Sequence, residues 1–452
     1  MQVVTIEVPS LGNRCHLVHD GRRALVVDPP RDLALVERAA EAAEVDIAVV
    51  ADTHVHNDYV SGALGLARRH GADYLLSADE RVEFERVGVR DGDEVPVGRL
   101  CVEVHATPGH TRHHQAFLVR EGMQPAALLT GGSLLHGTVG RTDLVDPRLT
   151  RELARQQWRS ARSLARLHPA TTLHPTHGFG SFCAATSAPT SDPDRPVTLA
   201  EQLTANPVLT TPQETFVTGL VSGFGPVPAH YRHMAPLNRT GAGRALPRPA
   251  RPLTAEAVTD TVLAGGWVVD LRDRSRFAEA HLPGSVSVEA GTQMATYVGW
   301  LVPWGAELVL VTDDAAALEP ALRDLAAIGI EGVGTHLVDS ARLTAAYRRT
   351  DWAGYRAALT REPDRPRVVV DVRQHDEWAG GHLPGAVHVP VQDVARHAAT
   401  LPDGELWVHC RSGYRAAIAA SLLHRHGRDV VLLDDAWDRV HELSIPVDGL
   451  AA

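Results

Sequence analysis

Thr53-His54-Val55-His56-Asn57-Asp58-Tyr59 is the stretch that decides the fold of the first part of this chain. Side chains alternate along an extended backbone, so His54, His56 and Asp58 project to one side as a row of two imidazoles and a carboxylate. Zn²⁺ and Fe²⁺ take such ligands. The apolar run Ile47-Ala48-Val49-Val50 directly before the row reads as a buried strand. That places the row at a strand's C-terminal end, where α/β proteins put their chemistry. The plain alternative is a solvated His/Asp turn, and the rest of the chain decides between them.

Outward from this row, short β-like runs at 2–8, 24–27, 47–50, 100–105 and 126–129 alternate with helical stretches at 33–43 and 62–70, an α/β pattern. Three later segments add to the row. Thr107-Pro108-Gly109-His110-Thr111 puts His110 in a tight turn at a strand end, Gly131-Gly132-Ser133 follows an apolar run, and His174-Pro175-Thr176-His177-Gly178 adds a further histidine. His113 and His114 read as surface residues or as supports behind a ligand. Tyr59 reads either as a hydrogen-bonding neighbour of a metal ligand or as a half-buried packing residue.

Pro, Ser and Thr dominate at 187–194, which marks a connector, and a second connector at 238–252 is rich in Gly, Pro and Arg. Beyond it lies an internal repeat. Val268-Val269-Asp270-Leu271-Arg272, followed by His281-Leu282-Pro283-Gly284-Ser285-Val286, recurs as Val369-Val370-Asp371-Val372-Arg373 and His382-Leu383-Pro384-Gly385-Ala386-Val387. The recurrence at constant internal spacing implies two copies of one small α/β domain.

The 452 residues exceed what one core supports, and 44% hydrophobic with 22% charged residues is ordinary for a globular protein. A net charge of −11 argues against a nucleic-acid partner, since a phosphate backbone wants clustered Lys and Arg. No secretory signal and no apolar run of about 18 residues is visible, so neither export nor a membrane span is expected. The four cysteines, Cys15, Cys101, Cys183 and Cys410, are far apart, which fits a reduced cytoplasm.

Leu406-Trp407-Val408-His409 reads as a strand ending at Cys410-Arg411-Ser412-Gly413-Tyr414-Arg415, and a helical stretch follows at 416–423. A cysteine between a strand and a helix N-terminus meets converging backbone N–H groups, the positive end of the helix dipole and here Arg411 and Arg415. All favour a thiolate, or a persulfide anion. Gly413 lets the loop curl around the sulfur, with Ser412 and Tyr414 completing the substrate loop. A phosphatase-type loop would need one more residue before Arg415. Aligning 307–311 with 405–409 sets Thr312 opposite Cys410, followed by Asp313 and Asp314. The first copy therefore forms no persulfide and reads as a spacer or dimerisation module, compatible with a homo-oligomer.

The order HxHxD, TPGHT, GG and HG, with Gly140-Arg141-Thr142-Asp143-Leu144 and His177-Gly178-Phe179-Gly180-Ser181, resembles the metallo-β-lactamase fold. The likeness is strongest to its persulfide dioxygenase branch, with glyoxalase II as a cousin. CRSGYR with VVDVR and GHLPGAV resembles the rhodanese domain. The resemblance implies an α/β and α+β multidomain chain: a metallo-β-lactamase αββα sandwich at 1–185, a helical extension and linker at 186–250, an inactive rhodanese-like domain at 251–355 and an active rhodanese domain at 356–452. Asp371 and Arg373 are implied to stabilise the last of these.

The chain departs from the family pattern at two places. Tyr59 stands where a histidine is usual, and Gly132 where an aspartate is usual, so a two-metal hydrolase is not expected. His54, His56 and His110 remain as ligands for one Fe(II) or Zn, with Asp58, His177 and Tyr59 behind them or at a second site. A neutral three-histidine site favours an anionic persulfide or hydroxide as the next ligand. The resemblance implies oxidation of a small-thiol persulfide to sulfite at that metal and sulfane-sulfur transfer through Cys410, with thiosulfate or sulfite as partners. The alternatives are a sulfurtransferase with a vestigial metal domain, a glyoxalase II-like thioester hydrolase and a non-catalytic persulfide carrier.

Overall fold

Alternation within single strands divides the N-terminal core in two. In the strand Arg23–Val27, Ala24 and Val26 pack into one buried cluster while Leu25 and Val27 pack into another, and in Gln115–Arg120 the pairs Ala116/Leu118 and Phe117/Val119 divide the same way. Strands buried on both faces need two cores, and each such Val or Leu contributes about 1.5–3 kcal/mol. The computed structural model describes residues 1–123, 126–178, 180–185, 197–242, 246–362 and 366–449. The expected connector at 187–194 lies outside these residues, as do 243–245 of the second connector and Phe179. Two units result: Met1–Pro247 with Arg323–Ile330, and Arg248–Leu322 with Glu331–Ala452.

In the first unit, a six-stranded sheet runs in the order Gln2–Val8, Asn13–His19, Arg23–Val27, Asp46–Ala51, Asp73–Ser77, Val87–Val89. A second runs Val197–Thr198, Thr172–Pro175, Ala127–Gly131, Gln115–Arg120, Leu100–Ala106, Glu94–Val97. Leu25, Val27, Val49, Phe117, Val119 and Leu129 fill the space between the sheets. The helices Leu33–Ala42 and Ala63–His70 cover one outer face, and Thr150–Leu164 with Gln213–Ser222 cover the other. This is the expected αββα sandwich. The segment expected as a helical extension holds Leu199–Ala205, Pro207–Thr210, Gln213–Ser222 and Tyr231–Thr240.

The second unit contains the repeat as two parallel five-stranded sheets of identical order. One is Arg251–Pro252, Gly334–Leu337, Leu308–Thr312, Trp267–Asp270, Val286–Ser287; the other is Arg348–Thr350, Val430–Leu433, Glu405–His409, Arg367–Asp371, Val387–His388. The second sheet takes its edge strand from 348–350, ahead of the boundary expected at 355/356. The VVDxR motif has a local cause. Arg373 curls back to fork the buried Asp371 carboxylate at 2.6–3.0 Å and donates to Gly381 O at 2.7 Å, and Arg272 repeats this on Asp270 and Ala280 O. Among the described residues no helix is long and apolar enough to cross a membrane.

Candidate metal centre and sulfur-carrying loop

The strand Asp46–Ala51 ends in a loop whose histidines are fully buried, and Asn238 of the helix Tyr231–Thr240 pins that loop. The Asn238 amide donates to His56 O at 2.9 Å and Tyr59 O at 2.8 Å and accepts from the Ser61 N–H at 2.9 Å. Three rings then present the same face. The Nδ1–H of His110 donates to Arg141 O at 2.7 Å and that of His177 to Asn13 Oδ1 at 2.9 Å. The His54 Nδ1–H donates to Thr53 Oγ1 at 2.9 Å, since the Thr53 hydroxyl is itself given to Asp28 Oδ2 at 2.9 Å. With those protons committed, each Nε2 keeps a lone pair. Ligand atoms of His54, His110 and His177 lie within 4.8 Å of one another, and Nε2 of His54 and His177 are 3.5 Å apart.

Burial pushes the imidazolium pKa well below its usual value at His54, to about 3 at His110 and down at His177, so all three are neutral. Lone pair facing lone pair is unfavourable without a cation between them, and His110 Nε2 is buried with no hydrogen-bond partner among the described residues. The residues present fit one divalent ion.

The ligand set differs from the expected one. His177 joins His54 and His110, whereas His56 turns away: its Nε2 lies 3.1 Å from Asp28 Oδ1, 3.7 Å from Asp52 and 3.0 Å from the Tyr59 hydroxyl. Burial disfavours its charge, but Asp28 and Asp52 outweigh that and push its pKa up to about 10. The geometry pairs His56 most closely with Asp28. Tyr59 is 1% exposed and donates to Asp28 O at 3.2 Å, which makes it the packing residue that also holds His56. Asp58 is held by Asn13 at 2.7 Å and lies 3.5 Å from His177 Nδ1, and with His56 and His177 it forms a second group whose ligand atoms lie within 4.8 Å of one another.

Of the two places expected for His114, at the surface or behind a ligand, it takes the second. Its ring is buried, stacks on His54 at 4.8 Å, and accepts the Gly132 N–H at 3.0 Å. A Cβ at Gly132 would fall 2.3 Å from His110 Cδ2, and one at Gly131 2.7 Å from His114 Nε2. The room that an aspartate would need is filled by imidazole. A cavity of about 410 Å³ borders the cluster, lined by Val55 and Asn57, which alternate with the histidines, and by Thr111, Arg112, His113 and Arg232.

In the second unit, Cys410 follows the strand Glu405–His409 and is 1% exposed. The next helix, Tyr414–Arg425, starts at Gly413 with φ +89°, and a Cβ there would sit 2.0 Å from Asp434 Oδ1. Glycine is required on both counts. Arg411 and Ser412 are exposed at the rim, whereas Arg415 is committed: it forks Glu377 at 2.5 and 2.8 Å. Arg415 therefore holds the helix start in place rather than facing outward. Strand register confirms the alignment of the copies, since Asp371 pairs with His409 and Asp270 with Val311, which leaves Thr312 opposite Cys410. Asp313 is paired with Arg276, and Asp314 accepts from Ala316 N at 2.9 Å.

The rhodanese-like domain family matches residues 356–443. Hydroxyacylglutathione hydrolase of Acidiphilium cryptum is 31% identical over 226 residues, covering 45% of this chain and 88% of that protein. The same enzyme of Nostoc punctiforme is 32% identical over 148 residues, 31% of this chain, and the match spans only 57% of that relative's length. A solved metallo-β-lactamase of Staphylococcus aureus shares the fold at a TM-score of 0.66 and 24% identity, covering 75% of this chain and 99% of that one. The chain thus belongs, through its metallo-β-lactamase-fold N-terminal part, to the family of the hydroxyacylglutathione hydrolases, and carries a rhodanese-like domain behind it.

Proposed function

We propose that the protein is a sulfurtransferase that carries sulfane sulfur on Cys410, and that its N-terminal domain holds one divalent metal for oxidation of a small-thiol persulfide to sulfite. The observation that carries the transferase reading is Cys410 itself, set between a strand end and the N-terminus of a 12-residue helix. The Cys410 thiolate attacks the outer sulfur of thiosulfate and the S–S bond breaks. Sulfite leaves with the bonding pair, and Cys410 keeps the sulfur as a persulfide anion. Cyanide or a second thiolate then takes that sulfur and returns the Cys410 thiolate. The negative charge stays within the loop throughout, moved outward by one sulfur.

His54, His110 and His177 would hold the metal, which would supply Lewis acidity and oxygen chemistry there. Support for this part is the convergence of three neutral Nε2 atoms. Thioester hydrolysis is the reading the relatives' name suggests. Gly132 and the turning of His56 to Asp28 weigh against the two-metal site such a hydrolase would use.

Thiocyanate formation from thiosulfate and cyanide, lost about a thousandfold or more in Cys410→Ser, is the expected result. Turnover that persists in that variant overturns the transferase reading. For the metal domain, purified protein is expected to hold about one equivalent of Fe or Zn, and to consume oxygen with glutathione persulfide. Metal below about a tenth of an equivalent overturns that half.

A further inference from the structure

The helix that begins at Tyr414 turns its positive end toward Cys410, and it is tied to the first rhodanese-like copy along its length. The Tyr414 hydroxyl donates to Glu289 O at 2.9 Å, the Ser287 N–H donates to Ser421 Oγ at 3.0 Å, and Arg425 donates to Gly266 O at 2.8 Å. Beneath the loop lies an anion. The Asp434 carboxylate is packed against Gly413 so closely that a Cβ would collide with it. A fixed negative charge there opposes a thiolate and then a persulfide on Cys410.

Two arginines clamp this carboxylate. Arg274 Nε is 2.7 Å from Oδ1 and Arg349 Nη1 is 3.1 Å from Oδ2. Arg274 belongs to the helix Arg274–Glu279 of the first copy, where it also pairs with Glu289 at 2.7 Å. Its side chain is 27% exposed against 41% for Arg349, so Arg274 is the less solvent-screened partner.

The other groups around Cys410 are already balanced. Glu377 is spent on Arg415, and Asp371 on Arg373. Burial keeps His409 neutral. Tyr297, whose ring lies 5.6 Å from that of Tyr414, has its pKa pushed up to about 12 by burial and stays a neutral phenol. Arg411 is exposed on the loop itself. Asp434 and Glu289 remain and share Arg274; Asp434 is the one packed against Gly413, and its closest cation comes from the copy that has no cysteine.

We propose that Arg274 is a positioning residue for sulfur transfer: by cancelling Asp434 against Gly413, the first copy keeps the Cys410 loop receptive to anionic sulfur. The inference rests on reading Cys410 as the carrier, and it gives the first copy a part in the chemistry through charge. The test is alkylation of Cys410 by iodoacetamide in the full chain from about pH 5 to 10, followed on the Cys410 peptide by mass spectrometry because Cys101 is the more exposed thiol of the two.

In R274Q the rate at neutral pH falls about fivefold and the profile moves to higher pH, as an uncompensated charge nearby requires. Adding D434N to R274Q returns it to within about twofold of wild type. An unmoved profile in R274Q overturns the proposal, and so does failure of D434N to restore it, which would make Arg274 a mere strut. Should R274Q not fold, D434N alone decides: its profile moves to lower pH, and an unmoved one overturns the proposal. Alkylation needs no sulfur donor. A wild type that makes no thiocyanate would therefore refute sulfur transfer while leaving this question answered separately.

Discussion

The two rhodanese-like copies share sheet order, the Asp-x-Arg fork and the HLPG turn, yet only one ends its central strand in a cysteine. Everything held in common serves packing. What differs lies in the few residues after the strands Leu308–Thr312 and Glu405–His409. The second copy runs Cys410, an open loop, Gly413 and a 12-residue helix; the first runs Thr312, Asp313 and Asp314 through the short 3₁₀ turn Ala315–Ala317 before its helix Leu318–Ala327 begins. Scaffold and chemistry are separable, because the core depends on buried area and the chemistry on one loop.

The sharpest way to break that separation is to move the sulfur. Thr312→Cys in a Cys410→Ser background should leave thiocyanate formation at least about a thousandfold below wild type, since the acids Asp313 and Asp314 follow the new thiol and the helix Leu318–Ala327 begins only after an intervening 3₁₀ turn. Recovery to within about tenfold would show that the strand end alone suffices.

Next in size is the shared fork. Asp371→Asn strands Arg373, whose side chain is 3% exposed, and should cost about 3 kcal/mol in chemical denaturation. Asp270→Asn should cost less. Burial pushes the Asp270 carboxyl up despite Arg272, whereas at Asp371 burial is outweighed, with the Arg373 fork among the causes, and the carboxyl sits below the usual range. Equal costs would mean that the copies differ in chemistry alone.

How far the residues announce all this depends on the range of the interaction. The His/Asp row, the strand-to-helix position of Cys410 and the missing cysteine of the first copy are local, and spacing reveals them. Partners far along the chain do not show. His56 is drawn off by Asp28, a residue at φ +55°, and His114 fills the room beside Gly132. Asn238 pins the loop from the helical extension, Glu377 takes up Arg415, and Asp434 packs against Gly413. A row of histidines predicts that some bind together, but which ring joins which carboxylate is decided by tertiary packing.

His409 offers a pH-dependent contrast, because Val311 stands at its place in the first copy. Burial lowers its pKa from 6.5 to about 4. The unfolded chain therefore takes up the proton first, and stability falls as the pH drops from 6.5 toward about 4. The full loss is about 3 kcal/mol. His409→Val should make that acid slope shallower, whatever it does to stability at neutral pH, when urea midpoints are compared across this range; His281, whose pKa burial also lowers to about 4, keeps part of it. An unchanged slope would assign the acid loss to another group.

The smallest expected effect tests whether the shared turn is equally supported in both copies. Gly284 and Gly385 sit in the HLPG turn at φ +79° and +72°, a region that costs an L-residue about 1 kcal/mol. Around Gly385 a Cβ meets nothing within 4 Å, so Gly385→Ala should lose only that backbone cost. At Gly284 the Cβ would come 2.5 Å from Val262 Cγ1, a stiff branched methyl on the helix Ala255–Leu263. Gly284→Ala must therefore displace packing as well, and should cost about 2–3 kcal/mol. Measured side by side by thermal denaturation, the reverse order would show that the helix Ala255–Leu263 yields more readily than a packed helix should, and that the two turns are alike only in sequence.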